Sequence, residues 1–476
     1  MADAAPALTA TPTAIPGLTL WTLPLHGDNR GWFKENWQHA KMTALGLPDF
    51  GPVQNNVSFN AAVGTTRGIH AEPWDKWVSL ATGRAFGAWV DLREGPSFGT
   101  VVTAQLDPGT AVFVPRGVGN AFQTLEPDTA YSYLVNDHWS ADAEYCFLNL
   151  ADETVAIDWP IPLNRAELSD KDRAHPHLTD VRPVPARRTL IIGAQGQLGR
   201  ALTQALDGRG NVVLVDRDEL DISSQEAVDA WPWREYDLVI NAAAYTAVDA
   251  AETPEGRTAA WAINARGSAL LARAAAQHGL TLVHVSTDYV FDGTATSPRT
   301  ENHPFAPLSV YGHSKAAGDL AVGTVPRHYV VRTSWVIGDG HNFVRTMSGL
   351  AARGVSPAVV DDQIGRLTFT EDLAAGIIHL VESGAPFGTY NLTGSGAPAS
   401  WMEVARAVFK LQGHDPARVS GTSTADYVAG LGLASAPRPA SSVLDLTRIQ
   451  TAGFTPPDWR ESLARYLNGS GSASLP

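Results

Sequence analysis

Thr189-Leu-Ile-Ile-Gly-Ala-Gln-Gly-Gln-Leu-Gly199 decides how this chain is built. A short apolar run, Leu190 to Ile192, leads straight into three glycines, Gly193, Gly196 and Gly199, and a helical pattern follows. That is the order of the first strand, phosphate loop and first helix of a dinucleotide-binding βαβ unit. Glycine lets the backbone turn sharply and approach a pyrophosphate, while a helix N-terminus offers free N–H groups to its charge. The loop, with Gln195, Gln197 and Leu198 between its glycines, predicts a nicotinamide dinucleotide site. Such a unit opens a domain, yet residues 1–188 precede it. Two domains are therefore expected, the second beginning at this loop.

Downstream, Val212-Val-Leu-Val-Asp216 reads as the second strand, ending in a carboxylate placed to hold a ribose hydroxyl. Arg217 beside it is equally suited to a 2′-phosphate, so NADH and NADPH both stay open. Asp221 and Ile222 are expected near the adenine. Asp237-Leu-Val-Ile-Asn-Ala-Ala-Ala-Tyr245 is a buried parallel strand. At its end Ala242, Ala243, Ala244 and Tyr245 would let a cofactor lie across the strand tips. Thr281-Leu-Val-His-Val-Ser-Thr-Asp-Tyr289 is another such strand. Tyr311 and Lys315 are four apart, so a helix puts them on one face. Lysine beside the phenol would lower its pKa, and Thr287 would hold the substrate oxygen between them.

Ahead of the loop, residues 17 to about 160 read as short strands with Gly and Pro turns, the signature of a jelly-roll sandwich or barrel. Trp77 to Leu92 alternates about Gly83 as a hairpin would, and Trp37 to Leu45 is the best helix candidate. Polar residues cluster here: Asp28-Asn-Arg-Gly-Trp-Phe-Lys-Glu35, Gln54-Asn-Asn-Val-Ser58, Arg67-Gly-Ile-His70 with Lys76, Asn120, Tyr133, and Leu168-Ser-Asp-Lys-Asp172. Among these types, a histidine backed by a carboxylate can act as a base, a tyrosine as an acid and a lysine as a cation beside a developing oxyanion.

These clusters resemble the dTDP-4-dehydrorhamnose 3,5-epimerases, which are cupin-type jelly rolls. The resemblance implies His70 as base, Asp172 orienting it, Tyr133 as acid and Lys76 stabilising the enolate. It implies Arg30, Glu35, Gln54 and Arg67 around the nucleotide diphosphate, and Asn55 among the substrate-binding residues. Two positions depart from the family pattern. Val57 and Asn120 each stand where a histidine is usual, and both are expected to line the site. The second half resembles the dTDP-4-dehydrorhamnose reductases of the extended short-chain dehydrogenases. It does so through Asn241–Glu252, Ser286–Gly293, Val310–Lys315, Arg332–Gly338, Asp362–Gly365 and Arg438–Asp445. This implies Tyr311 as the acid that protonates the 4-keto oxygen, and Trp335, Asn342 and Arg438 as sugar-nucleotide contacts. Together the two resemblances imply a bifunctional enzyme of dTDP-L-rhamnose synthesis acting on a dTDP-4-dehydro-6-deoxy-sugar. The rival reading is a catalytic reductase with a jelly roll that only binds, or that epimerises one carbon and leads to another 6-deoxy-sugar nucleotide.

The expected boundaries are a jelly roll over 1–182, with a disordered tail over 1–16, an extended joint over about 180–187, and a reductase over 188–476. The net charge of −14, without a basic cluster, argues against nucleic acid. No apolar run is long enough for a membrane span, and no signal peptide is recognisable, so a cytoplasmic protein is expected. The single cysteine, Cys146, rules out an intramolecular disulfide and a cysteine-built metal site. His70 with Glu72 could suggest a cupin metal site, but Asn120 stands where a further histidine ligand would fall, and no metal is expected. A homodimer is the prior for an epimerase of this type.

Overall fold

A computed structural model describes residues 7–138, 145–186, 188–208, 211–431 and 435–469. The chain divides into two compact units, Met1–Ala186 and Arg187–Pro476. Residues 1–6 of the expected tail, Arg187 of the joint and 470–476 lie outside the described residues.

The first unit is two antiparallel sheets face to face. Its strands are β1 (Thr9–Pro12), β2 (Thr19–Thr22), β3 (Gln54–Asn60), β4 (Thr66–Ala71), β5 (Lys76–Thr82), β6 (Ala85–Asp91), β7 (Val101–Leu106), β8 (Thr110–Val114), β9 (Val118–Thr124), β10 (Thr129–Val135) and β11 (Cys146–Phe147). One sheet runs β1-β2-β8-β5-β10-β3 and the other β11-β4-β9-β6-β7. Val78, Leu80 and Val112 of the first close on Trp89, Leu106 and Phe122 of the second, all essentially dry. Burying such side chains is the main favourable term in holding the sheets together.

Three sequence expectations change here. Residues Trp77 to Leu92 do not form a hairpin: β5 pairs with β8 and β10, β6 with β7 and β9, so the turn at Gly83 crosses between the sheets. Both strands are buried nearly throughout, which a half-solvated hairpin would not allow. A Cβ on Gly83 would fall 2.2 Å from Thr129 Oγ1, so only glycine fits. The expected tail is ordered from β1 onward: Thr9–Pro12 pairs with Thr19–Thr22, and Ile15 is fully buried. Ladder hydrogen bonds and that anchor override a polar, Pro-containing composition. Finally, much of the joint belongs to the jelly roll. Val184 N donates to Leu92 O at 2.7 Å and Val184 O accepts from Glu94 N at 2.8 Å. The expected helix is present as His39–Thr43, with Met42 buried.

The second unit is an α/β sandwich. Its central parallel strands are β12 (Arg188–Ile192), β13 (Val212–Val215), β14 (Tyr236–Asn241), β15 (Thr281–Thr287), β16 (His328–Thr333) and β17 (Gly388–Asn391), in the order β13-β12-β14-β15-β16-β17. The order reverses beside β12, so a crevice opens at the carboxyl ends of β12 and β14, where such folds bind ligands. Apolar residues of β12, β14 and β15 alternate between two cores, one per sheet face. A third core, around Val404, Phe409 and Trp459, supports the smaller subdomain. Among the described residues no helix is long and apolar enough to cross a membrane.

Candidate active sites

The jelly roll encloses a cavity of about 350 Å³ between its sheets. His70 enters it from β4, while Lys76 and Tyr133 enter from β5 and β10 of the facing sheet. Asp172 comes from the short helix Asp170–Arg173, whose N-cap Ser169 accepts from Asp172 N at 3.1 Å. The Asp172 carboxylate lies 3.0 Å from His70 Nε2. Burial opposes its charge, but the hydrogen bond and charge of His70 outweigh that and hold Asp172 below the usual carboxylate range. Lys76 is 3 % exposed and touches Glu72. Burial pulls its ammonium down to about 7, and the Glu72 carboxylate is the counter-charge beside it. Burial pushes the Tyr133 phenol up, against the opposing charge of Arg67, so it stays protonated at neutral pH.

Arg67 and Asn120 also line this cavity. Asn120 Oδ1 accepts from Trp89 Nε1 and from Tyr131 Oη, both at 2.9 Å, which fixes the amide plane. The remaining predicted residues lie elsewhere. Val57 and Asn55 are exposed because the pleat that turns Ser58 into the cavity turns odd-numbered neighbours out; Val57 is 63 % exposed. Gln54 hydrogen-bonds Asn56 at 2.8 Å. Arg30 pairs with Asp28 and Glu35 with Lys41 on the exposed hairpin His26–Asp28/Gly31–Phe33 and just after it. Glu72, which beside His70 could suggest a cupin metal site, is committed to Lys76. Sequence reasoning missed His175, which stacks on Phe147 with its ring 5.3 Å from that of His70.

In the second unit the glycine loop has the geometry that a dinucleotide-binding turn requires. Gly193 has φ +81°, and a Cβ there would lie 2.7 Å from Ala243 N. A Cβ on Gly199 would lie 2.2 Å from Gly193 O, so helix and loop can meet only without one. Gly196 caps the helix Gln197–Ala205 with no side-chain acceptor, leaving its first N–H groups open. With half-buried Ala242 to Ala244 on the next strand tip, these residues fit a dinucleotide pyrophosphate. Asp216 accepts from Gln195 N at 3.0 Å, tying the second strand to the loop. Arg217 is exposed, 3.6 Å from Asp221, and Ile222 is buried against Gly267. Tyr245 N donates to Asn264 Oδ1 at 2.8 Å.

Thr287, at the end of β15, meets Tyr311 of the helix Val310–Val322, and Lys315 lies one turn beyond Tyr311 on the same helix. Thr287 is hydrogen-bonded to the Tyr311 phenol, which burial nonetheless pushes well up. The expected lowering by Lys315 is not seen. Its Nζ donates to Val285 O at 2.7 Å and approaches His284 Nε2 at 3.4 Å, and burial brings it down to about 8. His284 Nδ1 lies 3.2 Å from Asn241 Nδ2, and Asp319 pairs with Arg332 at 2.9 Å one helical turn beyond Lys315. Asn264 also donates to Ser314 Oγ at 3.0 Å, from a π-helical turn over Trp261–Gly267. Asn264, His284 and Asp319 were missed. A histidine inside Leu-Val-His-Val was the available signal, since a buried polar group needs partners.

Two expected substrate contacts are otherwise engaged. Asn342 caps the helix Phe343–Ala352, accepting from Arg345 N, and its amide donates to Gly338 O and Tyr466 Oη. Trp335 stacks on Trp401 at 3.7 Å and covers Gly365, a packing role. Arg438 bonds Asp249 at 2.8 Å and reaches Tyr289, whose ring is 5.5 Å from that of Tyr311, so it borders the site.

A sandwich whose cavity pairs a buried carboxylate with a histidine, joined to a Rossmann unit with a Thr–Tyr–Lys cluster, defines an epimerase-type cupin fused to an extended short-chain dehydrogenase. Comparison with known proteins gives the same division. Residues 12–180 match the family model of dTDP-4-dehydrorhamnose 3,5-epimerase, and residues 187–471 that of the RmlD substrate binding domain. The chain belongs to the RmlD reductase family and carries an epimerase-family domain in front of it. It is 41 % identical over 296 residues to a dTDP-4-dehydrorhamnose reductase of Aggregatibacter actinomycetemcomitans, covering 58 % of this chain and 97 % of that one. It is 50 % identical over 177 residues to the protein RmlC homolog of Streptococcus pyogenes, covering 36 % of this chain and 89 % of that one. The crystal structure of dTDP-4-dehydrorhamnose reductase from Bacillus anthracis, in complex with NADP, matches with a TM-score of 0.55 at 35 % identity, over 60 % of this chain and 99 % of that one.

Proposed function

We propose that the chain catalyses two consecutive steps on a dTDP-4-dehydro-6-deoxy-sugar: epimerisation at C3 and C5, then NADPH-dependent reduction of the 4-keto group to give dTDP-L-rhamnose. The observation that carries this is the His70–Asp172 hydrogen bond, 3.0 Å, in a cavity whose opposite sheet presents Tyr133 and Lys76. Asp172 accepts the Nε2 proton of His70, leaving the other ring nitrogen as the base that removes a proton beside the carbonyl. Lys76 stabilises the enolate oxygen, joined by the Asn120 amide that Trp89 and Tyr131 hold in place. Tyr133, a protonated phenol on the opposing wall, returns a proton to the other face. Arg67 holds the diphosphate. Val57 faces away from the cavity, so of the two departures from the epimerase pattern only Asn120 lines it.

In the reductase, NADPH when bound supplies the hydride. Tyr311 gives its proton to the 4-keto oxygen, Thr287 orients that oxygen, and Lys315, held by Val285 O one helical turn beyond the phenol, supplies positive charge to the buried site. Arg217, open beside Asp216, is suited to a 2′-phosphate, and Arg438 to the sugar nucleotide. Trp32, Phe33, Val57 and Phe59, all exposed, support a homodimer through the jelly roll, which would bring Arg30 and Glu35 against the partner. The cytoplasm is the compartment that holds both NADPH and the nucleotide sugar. The test is incubation with dTDP-4-dehydro-6-deoxy-glucose in deuterated water, first without and then with NADPH, followed by NMR. Deuterium at C3 and C5 and a rhamnose product are expected. Absence of exchange would leave the jelly roll a binding module.

A further inference from the structure

His175 is unexplained by that chemistry. It is 7 % exposed, and neither ring nitrogen makes a hydrogen bond, although one faces the Leu148 backbone. A buried imidazole with both nitrogens unsatisfied is costly unless something else takes the lone pair. Its Nε2 is 3.8 Å from Asp172 Oδ1, the oxygen that also lies 3.0 Å from His70 Nε2. The ligand atoms of the three residues all fall within 4.8 Å of one another.

We propose that His70, Asp172 and His175 form a binding site for a divalent transition ion such as Zn2+, and that its occupancy switches the epimerase off. Zinc sites use nitrogen and carboxylate ligands at about 2.0–2.2 Å, which in a tetrahedron places neighbouring ligands about 3.3 Å apart. The observed 3.0 and 3.8 Å separations bracket that value, so small side-chain shifts suffice. Asp172 and His175 are buried, while the His70 side chain is 34 % exposed. Three protein ligands would therefore leave the fourth position open to the cavity. Phe147, stacked on His175 and edge-on to His70, keeps both rings in place. Lys171 lies over Phe147 and is the ammonium on the cluster's own helix; Lys76 is paired with Glu72. Metal at Nε2 forces the remaining His70 proton onto the other ring nitrogen. That consumes the lone pair the epimerisation needs, so inhibition follows from the tautomer as well as from blockage.

The inhibitory part rests on His70 being the base, and the experiment separates the two. Untagged full-length protein is titrated with Co2+ and followed by visible absorption, beside His175→Ala and His175→Gln. Four-coordinate Co2+ bands at one equivalent, displaced by Zn2+ and lost in both variants, are expected. Bands unchanged in the variants, or no bands in the native chain, would overturn the site. In parallel, C3 and C5 deuterium exchange without NADPH is measured with and without micromolar Zn2+. At least tenfold slowing in the native chain and none in either variant is expected. Bands with unslowed exchange would keep the metal site and refute His70 as the base.

Discussion

Replacing Asp172 with Asn keeps the shape of the cavity and removes one charge. Asp172 is a carboxylate with 8 % side-chain exposure, 3.0 Å from His70 Nε2. A hydrogen bond to a charged group in such surroundings contributes about 1.5–3 kcal/mol. Most of that contribution falls on the transition state, because the imidazole gains positive charge only as it takes the substrate proton. At about 1.4 kcal/mol per factor of ten, the deuterium-exchange rate at C3 and C5 should fall about 10- to 150-fold. KM should change little, since Asp172 reaches the substrate only through His70. The assay is exchange in deuterated water without NADPH, with reduction of separately epimerised substrate as a control in the same preparation. Undiminished reduction with slowed exchange is the expected pair. Exchange within twofold of the native rate would refute the orienting role and with it the dyad.

The remaining predictions concern charge, cofactor and covalent linkage. Burial lowers Lys76 to about 7 and Lys315 to about 8, and each acts as an ammonium, so activity is lost as pH rises through those values. Exchange should therefore decline about one pH unit before reduction does, and Glu72→Gln, which removes the counter-charge, should move the exchange limb to lower pH. Tyr311→Phe should abolish at least 99 % of NADPH oxidation, the scale of a lost general acid, while leaving exchange intact; full activity would remove it as the acid. Arg217→Ala should raise KM for NADPH about tenfold, roughly 1.4 kcal/mol, and leave NADH unchanged; equal effects on both would place the 2′-phosphate elsewhere. Cutting the chain after Ala186 should leave each half active, and flux through the mixed halves at low substrate should fall below that of the joined chain. Unchanged flux would show that the linkage contributes nothing.

What could be read from the sequence was local or periodic. Gly193, Gly196 and Gly199 are legible because a turn, a close approach and a helix start each impose a residue type at fixed spacing. Tyr311 and Lys315 are legible because one helical turn puts them together. What needed coordinates was register and distance along the chain. Nothing in Gln54–Asn60 says which face of the strand is wet, so the expectation that Val57 lines the site fails, and the pleat turns it outward together with Asn55. Alternation about Gly83 fits a hairpin and an inter-sheet crossing equally, and only the pairing of β5 and β6 with different neighbours separates them. His175 shows the limit most clearly. Arg173-Ala-His-Pro176 carries no spacing that marks a ligand. The ring matters because Asp172, three residues before it, is also within reach of His70, 102 residues earlier. A cluster assembled by packing a helix and its following turn against a distant strand has no signature in any one stretch, so the residues that tune a site are harder to read than those that perform its chemistry.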